Sequence, residues 1–99
     1  MAYRIEFAES VTEHLRSLKA SQRATILRAI EKQLVHEPVT ETRNKKPLRP
    51  NPIAPWELRV GSLRVFYEIA SDDPDVVRVL AIGRKKRNRL YIGEKVIEL

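Results

Sequence analysis

Arg59 and Arg64 sit in two short runs of alternating apolar and polar residues, Trp56 to Val60 and Leu63 to Ile69, joined by Gly61-Ser62. A glycine at the first position of a two-residue loop suits a type II′ turn, and that turn sets Val60 opposite Leu63. The register then follows by counting. Arg59 faces Arg64, Leu58 faces Val65, Glu57 faces Phe66 and Trp56 faces Tyr67. Like charges directly opposite in an antiparallel ladder destabilise it by several tenths of a kcal/mol unless an anion lies between them. The pair therefore marks an anion site. Glu57, diagonal to it, supplies the internal alternative of a solvated charged face with its own ion pairs.

A second cluster is Arg84-Lys85-Lys86-Arg87-Asn88-Arg89, in which five of six residues are basic, followed by Leu90-Tyr91. Cations that track a phosphate backbone beside an aromatic ring that stacks on an unpaired base are the usual furniture of single-stranded nucleic-acid sites. Tyr91 fits that role, and it equally fits a core ring with its hydroxyl at the rim. The expectation is that Arg59, Arg64 and the basic run surround one hollow shaped for a phosphodiester.

Other chemistries find little support. His14 and His36 stand alone, with no serine or carboxylate set that suggests a triad; His36 is placed to face the end of a helix. No metal site is expected. Gly61, Gly83 and Gly93 are isolated, so no glycine-rich phosphate loop exists and no cofactor is expected. There is no cysteine, which excludes disulfides and thiolate metal sites and fits a reducing cytoplasm. The N-terminus does not resemble a signal peptide, and no apolar run approaches the roughly 20 residues that span a bilayer.

The elements that position these residues begin with a strand at Tyr3, Ile5 and Phe7, where apolar residues alternate with Arg4 and Glu6. Ser10-Val11-Thr12-Glu13 has the pattern of a capping box, and Val11, Leu15 and Leu18 follow at helical spacing. Ser21 is expected to cap a second helix with Ile26, Leu27, Ile30 and Leu34 on its apolar stripe, ended before Pro38. The helices are expected to form an antiparallel hairpin. From Pro38 to Pro55, prolines interleaved with Arg43, Lys45, Lys46 and Arg49 indicate an extended basic loop. After the β-hairpin, Asp72-Asp73-Pro74-Asp75 is a turn, and Val76 to Ile82 is a near-continuous apolar run expected to be a central strand ended by Gly83. Leu90 to Leu99 is a tail of unassigned structure. The fold class is α+β: an N-terminal strand, the helical hairpin and a twisted antiparallel sheet of three to four strands, as one domain over residues 1–99.

The chain has 19 Lys plus Arg against 13 Asp plus Glu, a net charge of +6. Residues 41–99 hold thirteen of the basic and eight of the acidic groups, a net of +5. Such a field concentrates polyanions: nucleic acid, an acidic protein or an anionic membrane surface.

The run Trp56-Glu57-Leu58-Arg59-Val60-Gly61-Ser62-Leu63-Arg64-Val65-Phe66-Tyr67-Glu68-Ile69, then an apolar strand and Ile82-Gly83-Arg84-Lys85-Lys86-Arg87 to Tyr91, resembles the RelE/ParE toxins of type II toxin–antitoxin systems, and the element order agrees across nearly the whole chain. The resemblance implies a cytoplasmic, metal-independent endoribonuclease that cuts mRNA in the ribosomal A site through the RNA's own 2′-hydroxyl. It implies catalytic roles for Arg64 on the scissile phosphate, Lys85 where relatives carry an arginine, Tyr91 on the substrate base, and Lys46 or Glu57 as proton acceptor. Arg59, Arg84, Lys86, Arg87, Arg89 and Lys45 would hold phosphates. Glu57 departs from the lysine of RelE, which leaves the base open. The implied partner is an acidic antitoxin encoded adjacently. Two other readings stay open: a ParE-like inhibitor of DNA gyrase, and a non-catalytic module that binds an antitoxin or nucleic acid. Because Arg64 is read as an exposed sheet residue, its replacement by alanine is expected to leave the fold intact.

Overall fold

The computed structural model describes residues 2–98 and contains one seven-stranded sheet with two helices. In chain order the elements are β1 (Arg4–Phe7), α1 (Val11–Arg16), α2 (Ala20–Leu34), β2 (Lys45–Pro47), β3 (Trp56–Val60), β4 (Leu63–Ile69), β5 (Val76–Lys86), β6 (Arg89–Ile92) and β7 (Lys95–Ile97). The sheet runs β2-β3-β4-β5-β6-β7, antiparallel throughout, and β1 joins β5 in parallel. The α+β class holds. The sheet has more strands than the three to four expected, because the basic loop yields β2 and the tail yields β6 and β7.

The β3–β4 register is the one counted from the turn, from Val60 opposite Leu63 to Trp56 opposite Tyr67. Gly61 has φ 59 while Ser62 is not among the positive-φ residues, as a type II′ turn requires. Alternation sends Leu58, Leu63, Val65 and Tyr67 into a core that also holds Val11, Leu18, Ile26, Ile30 and Leu34 from the helical segment. Phe66 turns to the other side of the sheet, where it joins Ala54, Ala81, Leu90 and Ile92 in a smaller core. Each large apolar side chain buried in full contributes about 1.5–3 kcal/mol. The Tyr67 hydroxyl donates to the Pro38 carbonyl at 2.6 Å, tying the chain after α2 to the sheet. Burial pushes this phenol well above its ordinary pKa.

One edge of β5 serves three elements. Val76 to Val79 pair with β1, and Gly83 to Lys86 pair with β6. Leu80 and Ile82 lie between, and α1 closes the gap with side chains one helical turn apart. The Ser10 hydroxyl approaches the Leu80 carbonyl at 3.5 Å, and His14 Nδ1 accepts the Ile82 N–H at 3.2 Å. This explains why the capping box at Ser10 does not form: Ser10 has helical dihedrals, and its hydroxyl is turned to β5. The second helix likewise starts earlier than Ser21. Lys19 is its N-cap, and the Gln22 side chain accepts the Lys19 N–H at 2.9 Å. Leu27 departs from the expected stripe and is 41 % exposed, while Ile26, Ile30 and Leu34 are buried.

Gly83 does not end β5. A Cβ there would collide with the Tyr91 carbonyl oxygen and meet Ile92 Cγ1 at 3.1 Å, so glycine is what lets β6 pair so closely. The basic run becomes a β-hairpin, with Arg87 at φ 53 and Asn88 at φ 67 forming a type I′ turn.

Two outcomes follow. Gly83→Ala should lower the unfolding free energy by about 1–3 kcal/mol, as overpacking does, in urea titrations. Burial lowers the pKa of His14, with Glu13 opposing. A depressed histidine pKa means that the folded state gives up stability as pH falls from the unfolded value near 6.5 toward the folded value, and holds all of it above. Wild type should therefore lose more stability between pH 7.5 and 5.5 than His14→Asn, whose amide oxygen offers an acceptor that does not titrate. Equal losses would remove His14 from the pH response.

Candidate active site

The side of the sheet turned away from the helices is built by alternation. Lys46, Glu57 and Phe66 stand opposite one another on β2, β3 and β4, and Arg59, Arg64 and Gly83 form the next row on β3, β4 and β5. Lys85 follows Gly83 on the same face, opposite Leu90. Glu57, Lys85, Asn88, Arg89, Leu90, Val96, Ile97 and Glu98 line a hollow of about 550 Å³. Its far wall is β7. Leu90 alternating with Tyr91 and Ile92 before Gly93-Glu94 was the available sign of that second hairpin; Gly93 has φ 62.

Glu57 is the centre of the arrangement and is only 5 % exposed. Its Oε1 accepts from Arg59 Nε at 2.7 Å and lies 3.5 Å from Arg64 Nε. The anion demanded by the facing arginines is thus supplied from within the chain. Arg64 is not an exposed sheet residue. Its side chain is 13 % exposed, and its Nη1 donates to the carbonyls of Gly61 and Leu63 at 2.7 and 2.8 Å. Arg64 Nε is buried without a hydrogen-bond partner among the described residues. Burial lowers the Arg64 pKa, Glu57 raises it and Arg59 lowers it further. Arg59 is the open member of the pair, its side chain 48 % exposed. Lys46 shares the face and pairs with Glu41 at 3.4 Å.

The expectation that all the basic residues surround one hollow is corrected by the β5–β6 register. Lys85 faces Glu57 and Arg64, whereas Arg84 and Lys86 alternate to the reverse side, and Tyr91 stands there opposite Arg84. The Arg84 guanidinium carbon lies 5.5 Å from the centre of the Tyr91 ring. Tyr91 and Arg84 are therefore outside the Glu57 hollow. Arg89, opposite Lys86, alternates to the reverse side as well and borders the hollow only at its rim, and Arg87 is at the turn.

Lys45 is a second correction. It pairs with Leu58, so its side chain goes to the helix side, where it is 4 % exposed. Its ammonium donates to the carbonyls of Gln33 and Glu37 at 3.3 and 2.8 Å, at the C-terminus of α2. A cation is favoured there because the last carbonyls lack amide partners and carry the negative end of the helix dipole. The place suggested for His36 is thus taken by Lys45, and His36 is exposed.

With this geometry in view, the comparisons with known proteins agree. Residues 5–89 match the family described as the ParE toxin of type II toxin–antitoxin systems, parDE. The chain belongs to the RelE/ParE toxin superfamily. No curated protein is a significant match to the sequence. Among solved structures, it is similar to the toxin–antitoxin complex RelBE2 from Mycobacterium tuberculosis, with TM-score 0.69 and 23 % identity over 86 % of this chain and 100 % of that one. The archaeal RelE–RelB complex from Pyrococcus horikoshii OT3 gives TM-score 0.66 and 25 % identity over 88 % and 99 % of the two chains. A double arginine-to-alanine mutant of E. coli toxin RelE in the free state gives TM-score 0.64 and 26 % identity over 85 % and 84 %. This chain is the toxin component of a type II system in that superfamily.

Lys45 and the hollow separate experimentally. Lys45→Met should leave the Gln33 and Glu37 carbonyls at the end of α2 without their charged donor and cost about 1.5–3 kcal/mol in urea unfolding. Toxicity of the folded Lys45→Met protein should equal that of wild type, and weaker toxicity would return Lys45 to the site.

Proposed function

We propose that this toxin cleaves messenger RNA held on the ribosome. The observation that carries the reading is the Glu57 carboxylate on the face away from the helices, in contact with Arg59 and Arg64 and sharing a hollow with Lys85. Glu57 takes the proton of the 2′-hydroxyl as its oxygen attacks the adjacent phosphorus. Arg59 and Arg64 face the charge that grows on the phosphorane oxygens. The bond from phosphorus to the 5′-oxygen breaks, Lys85 gives that oxygen a proton, and the products are a 2′,3′-cyclic phosphate and a 5′-hydroxyl. Lys46, on the same face as Glu57, and Arg89 at the rim hold flanking phosphates. The partner is an acidic antitoxin encoded beside the toxin and covering the cationic surface. Support comes from the similar structures that are toxin–antitoxin complexes. No helix among the described residues is long and apolar enough to cross a membrane, and the reaction is assigned to the cytoplasm, where ribosomes are.

One observation favours the second reading, inhibition of DNA gyrase on the same scaffold. Tyr91, the residue that the resemblance places on the substrate base, lies on the reverse side of the sheet from Arg64.

Purified protein incubated with programmed ribosomes, and separately with the same mRNA free in solution, decides between them. The expected result is cutting in the A site on ribosomes alone. Glu57→Gln should slow it on the order of 10²–10⁴-fold if the carboxylate is the base. Arg64→Lys should slow it on the order of 10²–10³-fold. Absence of cuts together with loss of gyrase supercoiling would replace the nuclease reading.

A further inference from the structure

Among the described residues the sheet has three open edges, on β2, β7 and β1. β2 and β7 are three residues long, and β2 ends in Pro47, a residue that blunts an edge. β1 is the longest of the three and carries neither proline nor lysine. The Arg4 N–H donates to the Asp75 carbonyl at 2.9 Å and the Ala8 N–H to the Val79 carbonyl at 2.8 Å, so by alternation the backbone of Arg4 and Glu6 turns to β5. That of Ile5 and Phe7 turns outward and has no backbone partner among the described residues. Phe7 is also a large apolar side chain left in the open, at 47 % exposure.

A free edge accepts another strand, and its side chains decide which one. Laid antiparallel on itself, Tyr3-Arg4-Ile5-Glu6-Phe7 is its own complement. With Ile5 opposite Ile5 of a second copy, Arg4 stands opposite Glu6 on both sides of the centre, and Tyr3 stands opposite Phe7. Outward-turned residues must meet outward-turned ones, so the neighbouring registers centre on Arg4 or on Glu6. The first sets Arg4 against Arg4 and the second sets Glu6 against Glu6, and like charges directly opposite repel. Charge therefore selects one register. Arg4 pairs with Asp73 at 2.6 Å and Glu6 with Arg78 at 3.2 Å, yet their side chains stay 67 % and 51 % exposed. Each has room for a second partner, and the joint would link the pairs into a row of alternating charge.

We propose that β1 is a self-association edge, through which two copies of this chain pair about a twofold axis at Ile5 into one continuous sheet. Ile5 exchanges both backbone bonds with Ile5 of the second copy, and each Phe7 N–H donates to the other copy's Tyr3 carbonyl. The Tyr3 N–H is already committed to the Val35 carbonyl at 2.6 Å, so the joint ends there. Each Phe7 ring gains cover from Tyr3 of the second copy. A foreign strand would find the same backbone groups, but this order of charge and ring is matched by an identical edge. The twofold of an antiparallel joint is perpendicular to the sheet, which sets both pairs of helices on one side and both hollows on the other. β1 takes no part in the hollow, whose lining is Glu57 and residues from Lys85 onward, so both hollows survive the joint whatever reaction they carry out.

The test is the mass of the purified full chain by sedimentation equilibrium, at concentrations up to about 1 mM, where even weak pairs associate. A joint of four-residue strands is small, so the mass should climb with concentration from 11.5 kDa toward twice that value. Arg4→Glu and Glu6→Arg, taken separately, set like charges opposite each other and should each weaken association about tenfold. Mixed in equal amounts they bring opposite charges together again, and the mixture should recover the association that each has lost. Urea midpoints confirm that each variant is folded. Arg4→Cys mixed with Glu6→Cys reads the same register without reversing a charge, since the chain has no cysteine of its own. This pair is of the non-hydrogen-bonded kind, with Cα atoms about 4.5 Å apart, inside disulfide range. On mild oxidation the mixture should yield a dimer with one chain of each kind. Wild type at the monomer mass at every concentration would overturn the inference. So would single reversals that associate like wild type, a charge mixture no better than its parts, or cysteine variants that link like to like as readily as unlike.

Discussion

A carboxylate removed from water must be met by cations or hydrogen-bond donors, because burying an uncompensated charge costs several kcal/mol. Glu57 is such a carboxylate, and Arg59 and Arg64 meet it. The converse holds as well: facing arginines repel, and Glu57 is what lets them stand opposite each other. The charged face exists in this form because the three charges solve one another's problem. Their meeting depends on register. A shift of one residue between β3 and β4 would turn one arginine to the helix side, into the core that holds Leu58, Leu63 and Val65. The turn at Gly61 and the charge cluster therefore enforce the same alignment by independent means.

The second constraint is the divided edge of β5. A strand of eleven residues borders two shorter ones, and backbone groups left bare between them would be costly. Ser10 and His14 supply the missing partners from one face of α1. This makes α1 a substitute for a piece of strand, and it allows β5 to run on past Ile82 and carry the cationic hairpin beyond the helix-covered core.

Much of this was legible in the sequence. The β3–β4 hairpin was readable in full, since a two-residue glycine turn leaves one register. The pair Arg59 and Arg64, Glu57 diagonal to it, and the apolar course of β5 followed. What escaped were contacts made by side chains over long sequence distances. Ser10 has the spacing of a cap, yet its hydroxyl points to Leu80, seventy residues away. Lys45 looks like any cation of a basic loop, and only the pairing of β2 with β3 turns it under the end of α2. The apolar run predicts a strand that ends at Gly83, whereas a neighbouring backbone needs the missing Cβ there and the strand runs on. That misreading had the widest effect. A basic segment beyond the end of a strand can point all its charges one way, and a strand cannot.

The same distinction governs how the hollow meets an anion. Arg64 is held by the carbonyls of Gly61 and Leu63 and by Glu57, so an incoming phosphate first meets the groups without such ties: Arg59, half open to solvent, and Lys85, which has no ion-pair partner among the described residues. To reach Arg64 the phosphate must compete with Glu57 for the same guanidinium. In the proposed reaction that competition brings the phosphate against the carboxylate that takes the proton. The buried Nε of Arg64 is the atom that faces Glu57, at 3.5 Å, so a phosphate reaches this guanidinium only by moving the carboxylate or the arginine.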